Sequence, residues 1–143
     1  MSQMEIDRNG NKIWRNSIGQ KHREDGPAVE KYNGAMAWYV NGKLHREDGP
    51  ALVNVDGHFH FGIEKKWLIN GTLHREDGPA VEYANGAKAW YINGKCHRLD
   101  GPAVEYGKRK CWYVHAERYS FEDWLDQLQI SNEEKVMLCL KWK

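Results

Sequence analysis

The stretch His22-Arg23-Glu24-Asp25-Gly26-Pro27-Ala28 decides the fold, because the same seven residues return at 45–51 and 74–80. A fourth copy, at 97–103, differs only in Leu99, which stands where the other copies have Glu. The four motif histidines are 23, 29 and 23 residues apart, and the residues between the motifs keep the same register. Self-similarity at such a fixed period is the signature of a repeat array. The sequence therefore predicts a series of units of about 23 residues each.

Each unit is predicted to form a β-hairpin. Asn-Gly is the strongest short hairpin signal, and it recurs after an aromatic or aliphatic pair at Asn41-Gly42, Asn70-Gly71 and Asn93-Gly94. Asp-Gly-Pro supplies the turn at the opposite end, because Pro lacks a backbone donor and stands where a strand starts. Residues 28–32 and 36–40 alternate between two faces with the period of a strand. We expect a mainly β protein: an elongated array of antiparallel hairpins in a single-layer sheet, with contacts between neighbouring units.

The composition agrees with a folded chain that has an unusual core. Aliphatic residues are few, but seven Trp, seven Tyr and a net charge of +1 are atypical of disordered segments. The shortage of Val, Ile and Leu argues against a parallel α/β sheet and thus against most nucleotide-binding α/β enzymes. Five tryptophans hold the same position in successive units, and we predict a row of stacked indoles that serves either as core or as an aromatic ligand groove: Trp14, Trp38, Trp67, Trp90 and Trp112.

The segments Tyr39 to His45 and Tyr91 to His97 share an aromatic-x-Asn-Gly-Lys-x-His pattern before the motif. This pattern and the period resemble the MORN repeat, specifically divergent variants in which His-Arg-Glu-Asp-Gly-Pro-Ala replaces His-Gly-x-Gly. The resemblance covers roughly residues 9–116. It implies an extended antiparallel sheet that binds proteins or lipids, or dimerises, without catalytic residues. Since such variants are familiar from phage and giant-virus proteins and from antitoxin-like relatives, it also implies a phage accessory protein that inhibits a host defence factor, or an antitoxin-like partner of a toxin.

The charged residues of the motif allow two interpretations. In the structural one, which we favour, Asp caps the Gly-Pro turn and Arg pairs with Asp, because a motif used in every unit is what a scaffold needs. In the other, Arg and His of adjacent units hold an anionic nucleotide-like ligand while an indole stacks on its base. That alternative site comprises His45, Arg46, His74, Arg75, Trp38, Trp67 and Trp90.

Departures from the repeat are better candidates for a partner surface than its regular parts. The second unit has six extra residues within 55–64, which predict a longer hairpin that either binds a partner or folds back over the sheet. At 106–110 a basic tip replaces the usual Asn-Gly turn, and its charges suit an acidic surface or remain solvated. The candidate partner-binding residues of these two segments are His58, Phe59, His60, Phe61, Lys108, Arg109 and Lys110.

The C-terminal part, 117–143, follows the repeat array of 1–116 and changes to helical periodicity. Ser120 with Asp123 and Ser131 with Glu134 are capping signals for two helices. We expect these helices to cap the open end of the sheet, although their apolar faces could also bind a partner or pair two copies, as could the sheet edge. The first face carries Phe121, Trp124, Leu125 and Leu128, of which Trp124 is the partner-binding candidate, and the second carries Val136, Met137 and Leu140.

The remaining features limit the function classes. No nucleophile and base, phosphate loop or carboxylate pair stands apart from the repeated turns, so we predict a non-enzymatic protein without cofactor. One His per unit does not suit zinc, and interspersed charges show no footprint for duplex nucleic acid. The three cysteines lack short pair spacing, and no apolar run could span a membrane, so we expect a cytoplasmic protein, in the host cytoplasm if viral. The expected partner is another protein.

Overall fold

The structure, a computed structural model, describes residues 2–55 and 62–143. It is mainly β, as predicted, with two C-terminal helices. The strands are β1 Gln3–Ile6, β2 Lys12–Arg15, β3 Val29–Glu30, β4 Met36–Ala37, β5 Tyr39–Val40, β6 Lys43–Leu44, β7 Leu52–Val53, β8 Ile63–Lys66, β9 Leu68–Ile69, β10 Thr72–Leu73, β11 Val81–Tyr83, β12 Lys88–Ala89, β13 Tyr91–Ile92, β14 Lys95–Cys96, β15 Val104–Tyr106, β16 Arg109–Val114 and β17 Glu117–Tyr119. The helices are α1 Phe121–Gln127 and α2 Asn132–Trp142.

Eleven of the strands form one antiparallel sheet in the order β1-β2-β3-β4-β7-β8-β11-β12-β15-β16-β17. This order follows the chain, so each unit adds its strands beside those of the unit before it. The last strand, β17, places the end of the sheet at Tyr119, three residues beyond the predicted boundary at 116. The segment of 55–64 that carries the predicted extra hairpin lies largely outside the described residues.

Between the sheet strands, each unit contributes a small hairpin: β5-β6, β9-β10 and β13-β14. The predicted Asn-Gly turns close them, with positive φ at both residues, for example 48° at Asn41 and 78° at Gly42. Positive φ at both positions defines the turn type that matches strand twist. Backbone bonds then tie each motif to the following hairpin, since the Arg46 N–H donates to the Leu68 carbonyl at 3.0 Å and the Gly71 N–H to the Leu44 carbonyl at 2.7 Å.

Alanine, more than tryptophan, fills the interior of the array. The last residue of every motif is fully buried, and its carbonyl accepts the N–H of the tryptophan before that motif at 2.8–2.9 Å. Only a methyl group fits where two backbone segments approach so closely. These four residues are Ala28, Ala51, Ala80 and Ala103.

The two helices pack on the last strands and build the one sizeable hydrophobic cluster found among the described residues. Ser120 caps α1, and Ser131 and Glu134 form a complete capping box on α2, as the sequence predicts. The cluster centres on Trp112 and Trp124, whose rings lie 4.5 Å apart. The helices therefore cover the last unit of the array, which is what a cap does.

Candidate functional site

Each motif arginine stacks on the tryptophan of its own unit. The Arg75 guanidinium carbon lies 4.0 Å from the centre of the Trp67 ring, and the other three units repeat this contact at 3.9–4.1 Å. The prediction of mutually stacked indoles is therefore corrected in these four units, where guanidinium groups cover the indole faces. A planar cation on an aromatic face combines electrostatic attraction with apolar contact. The pairs are Arg23 on Trp14, Arg46 on Trp38, Arg75 on Trp67 and Arg98 on Trp90.

The motif turn wraps around the second face of the guanidinium and uses its donors. Arg75 Nε donates to Asp77 at 2.8 Å, and its Nη1 donates to the Pro79 carbonyl at 3.2 Å. A Cβ built on Gly78 would lie only 2.8 Å from the Arg75 Cζ, so glycine allows the backbone to lie flat against the guanidinium. The predicted pairing of Arg with Asp is present in all four units. The arginine side chain thus lies inside the turn and bonds two of its groups.

The motif histidines also serve the scaffold. The N–H of Asn70 donates to His45 Nδ1 at 3.1 Å, and each of the other histidines accepts an N–H from the next turn at the same distance. In these bonds the imidazole Nδ1 is the acceptor and the backbone N–H of the following turn is the donor. The side chains of His22, His45 and His74 are only 17–22% exposed. They join neighbouring units.

Between successive motif turns lie three open clefts with equivalent linings. Their volumes are about 540, 720 and 730 Å³, taken in order along the chain. In the middle cleft, Trp67 and Ile69 form the floor, and the turns that begin at Arg46 and Arg75 form the walls. The walls carry the motif acids, which point to solvent. The exposed fractions of those side chains are 78–85% for Glu24, Asp25, Glu47, Asp48, Glu76, Asp77 and Asp100.

The exposed charge of this surface is negative. Hydrogen bonds from arginine and arginine charge hold the pKa of the carboxyls of Asp25, Asp48 and Asp77 below the ordinary value, so these groups stay ionised at neutral pH. The arginines that oppose them are only 12–25% exposed. An approaching molecule therefore meets carboxylates first. We call the three clefts and their seven acids the acidic face.

This arrangement does not support the alternative anion site. Arg46, His74 and Arg75 line the middle cleft, whereas His45 lines the first, and the Nε of each arginine and the Nδ1 of each histidine are bonded within the turns and the backbone. A guanidinium group covers one face of each indole that was expected to stack a base, namely those of Trp38, Trp67 and Trp90. Carboxylates at the mouth would in addition repel a phosphate. The Arg–Asp pairs within the turns agree with the structural interpretation of the motif.

The predicted partner-binding residues have different outcomes. His58, Phe59, His60 and Phe61 lie outside the described residues. Lys108 and Arg109 are exposed at the tip between β15 and β16, whereas Lys110 reaches the cap, with Nζ 3.4 Å from the Trp142 carbonyl. Trp124 is 0% exposed at the centre of the cap cluster, and its indole N–H donates to the Arg98 carbonyl at 3.1 Å. This corrects its assignment to a partner surface, because only its neighbours on α1 reach solvent.

The hairpin turn that follows the fourth motif departs from the other turns in a way that the sequence analysis did not predict. His115-Ala116 occupies the position of the Asn-Gly turns, with φ of 51° and 73°. The signal was present in the sequence, because Trp112-Tyr113-Val114 aligns with Trp90-Tyr91-Ile92 and so places His115-Ala116 on Asn93-Gly94. The His115 ring lies 4.4 Å from His97. Burial, and then the charge of His115, lower the pKa of His97.

Trp142 is a second element that the sequence reading did not assign. Its indole N–H donates to the Asp100 carbonyl at 3.2 Å, and its ring lies 5.6 Å from the guanidinium carbon of Arg98. The Arg98 guanidinium therefore lies near two indoles, since the Trp90 ring is 3.9 Å from its carbon. Helix α2 of the cap thus packs against the turn of the last motif, at the position where a further unit would otherwise pack.

Other kinds of site are not found in the part of the chain that the structure describes. Residues 2–55 and 62–143 contain no group of three or more His, Cys, Asp or Glu side chains that could hold a metal ion. No helix in these ranges is long and apolar enough to cross a membrane. Burial raises the pKa of the Cys96 thiol to about 11, which makes it a poor nucleophile. Comparison of the chain with protein-family models, curated proteins and solved structures gave no match.

Proposed function

We propose that the protein is a non-enzymatic interaction protein that binds a macromolecular partner along its acidic face. The observation that carries this proposal is the repetition of one cleft three times in register, with an aromatic and aliphatic floor and exposed acidic walls. A linear series of equivalent clefts suits an extended partner, because each segment of that partner finds the same surroundings. A single small molecule would need only one cleft.

The charge of the clefts selects the chemistry of the partner. Six of the seven acids are adjacent in sequence as Glu-Asp, and the four aspartates are bonded to the motif arginines. Basic side chains of a partner would meet ionised carboxylates at the surface before they reach the arginines that pair with the aspartates. The floor offers apolar contact to their methylene groups. The proposed partner is therefore a protein with an extended basic segment.

A charge-neutralised variant tests this proposal. The triple variant Glu24→Gln, Glu47→Gln, Glu76→Gln removes three exposed charges from the acidic face and leaves every Arg–Asp pair intact. Its matched control, Glu64→Gln, Glu117→Gln, Glu122→Gln, changes three exposed glutamates elsewhere. We expect a partner captured from host lysate by the tagged protein to bind the first variant about tenfold or more weakly, and the control normally.

Salt provides a second readout for the same partner. Binding to the unmodified protein should weaken as ionic strength rises, and the triple variant should show a smaller salt dependence. Equal affinities of the two variants for the partner would contradict the proposal, as would the absence of any specific partner.

A finer proposal concerns the identity of the partner. Support for a host defence factor, inhibited by a viral accessory protein, comes from the resemblance of the motif to repeats of phage proteins. Co-expression with individual bacterial defence systems during phage challenge tests it. Restored plaque formation with the unmodified protein, and its loss with the triple variant, is the expected result. Unchanged resistance across the systems of the natural host would refute the finer proposal and leave partner binding to be judged by the capture experiment.

A further inference from the structure

The second cap helix presents an apolar stripe to solvent. The exposed fractions are 57% for Val136, 66% for Met137 and 77% for Leu140. The opposite side of α2 carries Leu138, Cys139 and Trp142, which pack against the cap cluster. Residues at i, i+1 and i+4 lie on one face of a helix, so the three outward side chains form one continuous stripe. The cap has thus buried one side of α2 and left a second apolar side open.

Charges divide the same helix into an acidic start and a basic end. Glu133 and Glu134 lie in the first turn, and Lys141 lies in the last. Glu133 is three residues before Val136 and four before Met137, which places it on the stripe itself. Lys141 is four residues after Met137, at the edge of the other end of the stripe, where its Nζ lies 5.0 Å from the centre of the Trp142 ring. The surface is therefore apolar in the middle, negative at one end and positive at the other.

We propose that this stripe is the docking site for a second copy of the chain, with α2 of one protomer antiparallel to α2 of the other. A two-fold axis through the middle of the stripe brings the apolar residues of the two helices together and sets Glu133 of each copy opposite Lys141 of the other. A parallel arrangement would set Glu133 against Glu133. The charge pattern therefore selects both the occupant and its orientation, and the stripe is complementary to itself.

The size of the stripe determines the strength of the dimer. Three apolar side chains and a charge pair per copy are far fewer than the roughly 20–30 residues a side of a standard interface. The dimer is therefore weak and reversible, and it forms as concentration rises. It does not depend on the acidic face, because the clefts lie between motif turns and α2 lines none of them.

Sedimentation equilibrium from about 10 μM to about 1 mM tests the proposal, because small interfaces dissociate in this range. The unmodified protein should shift from monomer to dimer. Met137→Glu should remain monomeric throughout, while the control Met4→Glu, at a similarly exposed methionine of β1, should dimerise normally. Circular dichroism checks that both variants are folded. A monomer at every concentration, or a dimer lost in the Met4 variant and kept in the Met137 variant, would overturn the proposal.

A charge exchange tests the antiparallel orientation. Glu133→Lys and Lys141→Glu should each weaken self-association about tenfold, because each places like charges opposite one another. Mixing the two variants should restore dimerisation, since the mixed dimer again pairs opposite charges at both ends. A helix that is merely damaged would not be rescued by mixing. Failure of the mixture to form dimers would rule out the antiparallel pairing.

Discussion

Replacing Arg75 by lysine should destabilise the array even though the charge is kept. Lysine cannot stack a planar group on the Trp67 ring at 4.0 Å, and it lacks the fork that donates to both Asp77 and the Pro79 carbonyl. The lost stacking costs about 0.5–1 kcal/mol. The lost bond from a charged donor to the Pro79 carbonyl costs about 1.5 kcal/mol, since Arg75 is only 22% exposed. The expected loss is thus about 2 kcal/mol.

Urea denaturation followed by tryptophan fluorescence measures this loss. With a slope of about 2 kcal/mol per molar urea, the midpoint should fall by about 1 M. Two controls isolate the cause. Arg118→Lys makes the same exchange at an exposed site in β17 and should leave the midpoint unchanged. Asp77→Asn removes only the ion pair with an 84% exposed carboxylate and should shift the midpoint far less.

The two controls also define what would refute this reasoning. If Arg75→Lys keeps the midpoint of the unmodified protein, charge alone suffices, and neither stacking nor the Pro79 bond contributes. If Asp77→Asn lowers the midpoint as much as Arg75→Lys does, the ion pair stabilises the turn and the contact with Trp67 is incidental.

Three further predictions concern the last unit and its cap. Ala116→Gly should raise the free energy of unfolding by about 1 kcal/mol, because Ala116 holds a φ of 73° that glycine adopts without strain. The reverse exchange at the equivalent turn, Gly94→Ala, should lower the free energy of unfolding. Urea denaturation measures both changes. Trp124→Ala should cost about 3–5 kcal/mol and undock the helices, which the loss of near-ultraviolet ellipticity with retained β signal would show. Stability should fall as the pH drops below about 6.5, because the unfolded chain then protonates His97 while the folded chain, in which the pKa of His97 is lowered, resists the proton. His115→Asn should reduce this fall, and an unchanged slope of stability against pH would contradict the coupling of the two rings.

Local rules account for the parts of the fold that the sequence predicted. Asn41-Gly42 and its equivalents impose positive φ, and Ser131 with Glu134 satisfies the first amides of α2. Each of these features depends on residues that are neighbours along the chain. Such features can be inferred from the sequence because backbone sterics and capping chemistry act within a few residues.

The contacts that the sequence did not predict join residues further apart in the chain. Nothing in the motif alone shows that Arg75 lies on Trp67, eight residues earlier, and not only beside Asp77, two residues later. The same holds for Trp124 and Trp142, which bond to the carbonyls of Arg98 and Asp100. Amphipathicity showed that the helices would pack, but which aromatic residue enters the interior depends on the shape of the last turn.

The motif arginines are largely buried, and this explains how a chain with a net charge of +1 has an acidic face. Each motif contributes one largely buried Arg. In three of the four motifs it also contributes two exposed acids, so the negative charges of the motif reach solvent and the positive charge does not. Leu99 replaces the glutamate of the fourth motif and is 51% exposed on the third cleft, which therefore has three carboxylates where the other two have four. The row of clefts is thus more acidic at its first end and more apolar beside the cap. A partner segment with basic residues toward one end and an apolar residue at the other fits this row of clefts in only one of its two orientations. The fourth motif, which carries Leu99, therefore gives a direction to a surface that is otherwise the same along the array.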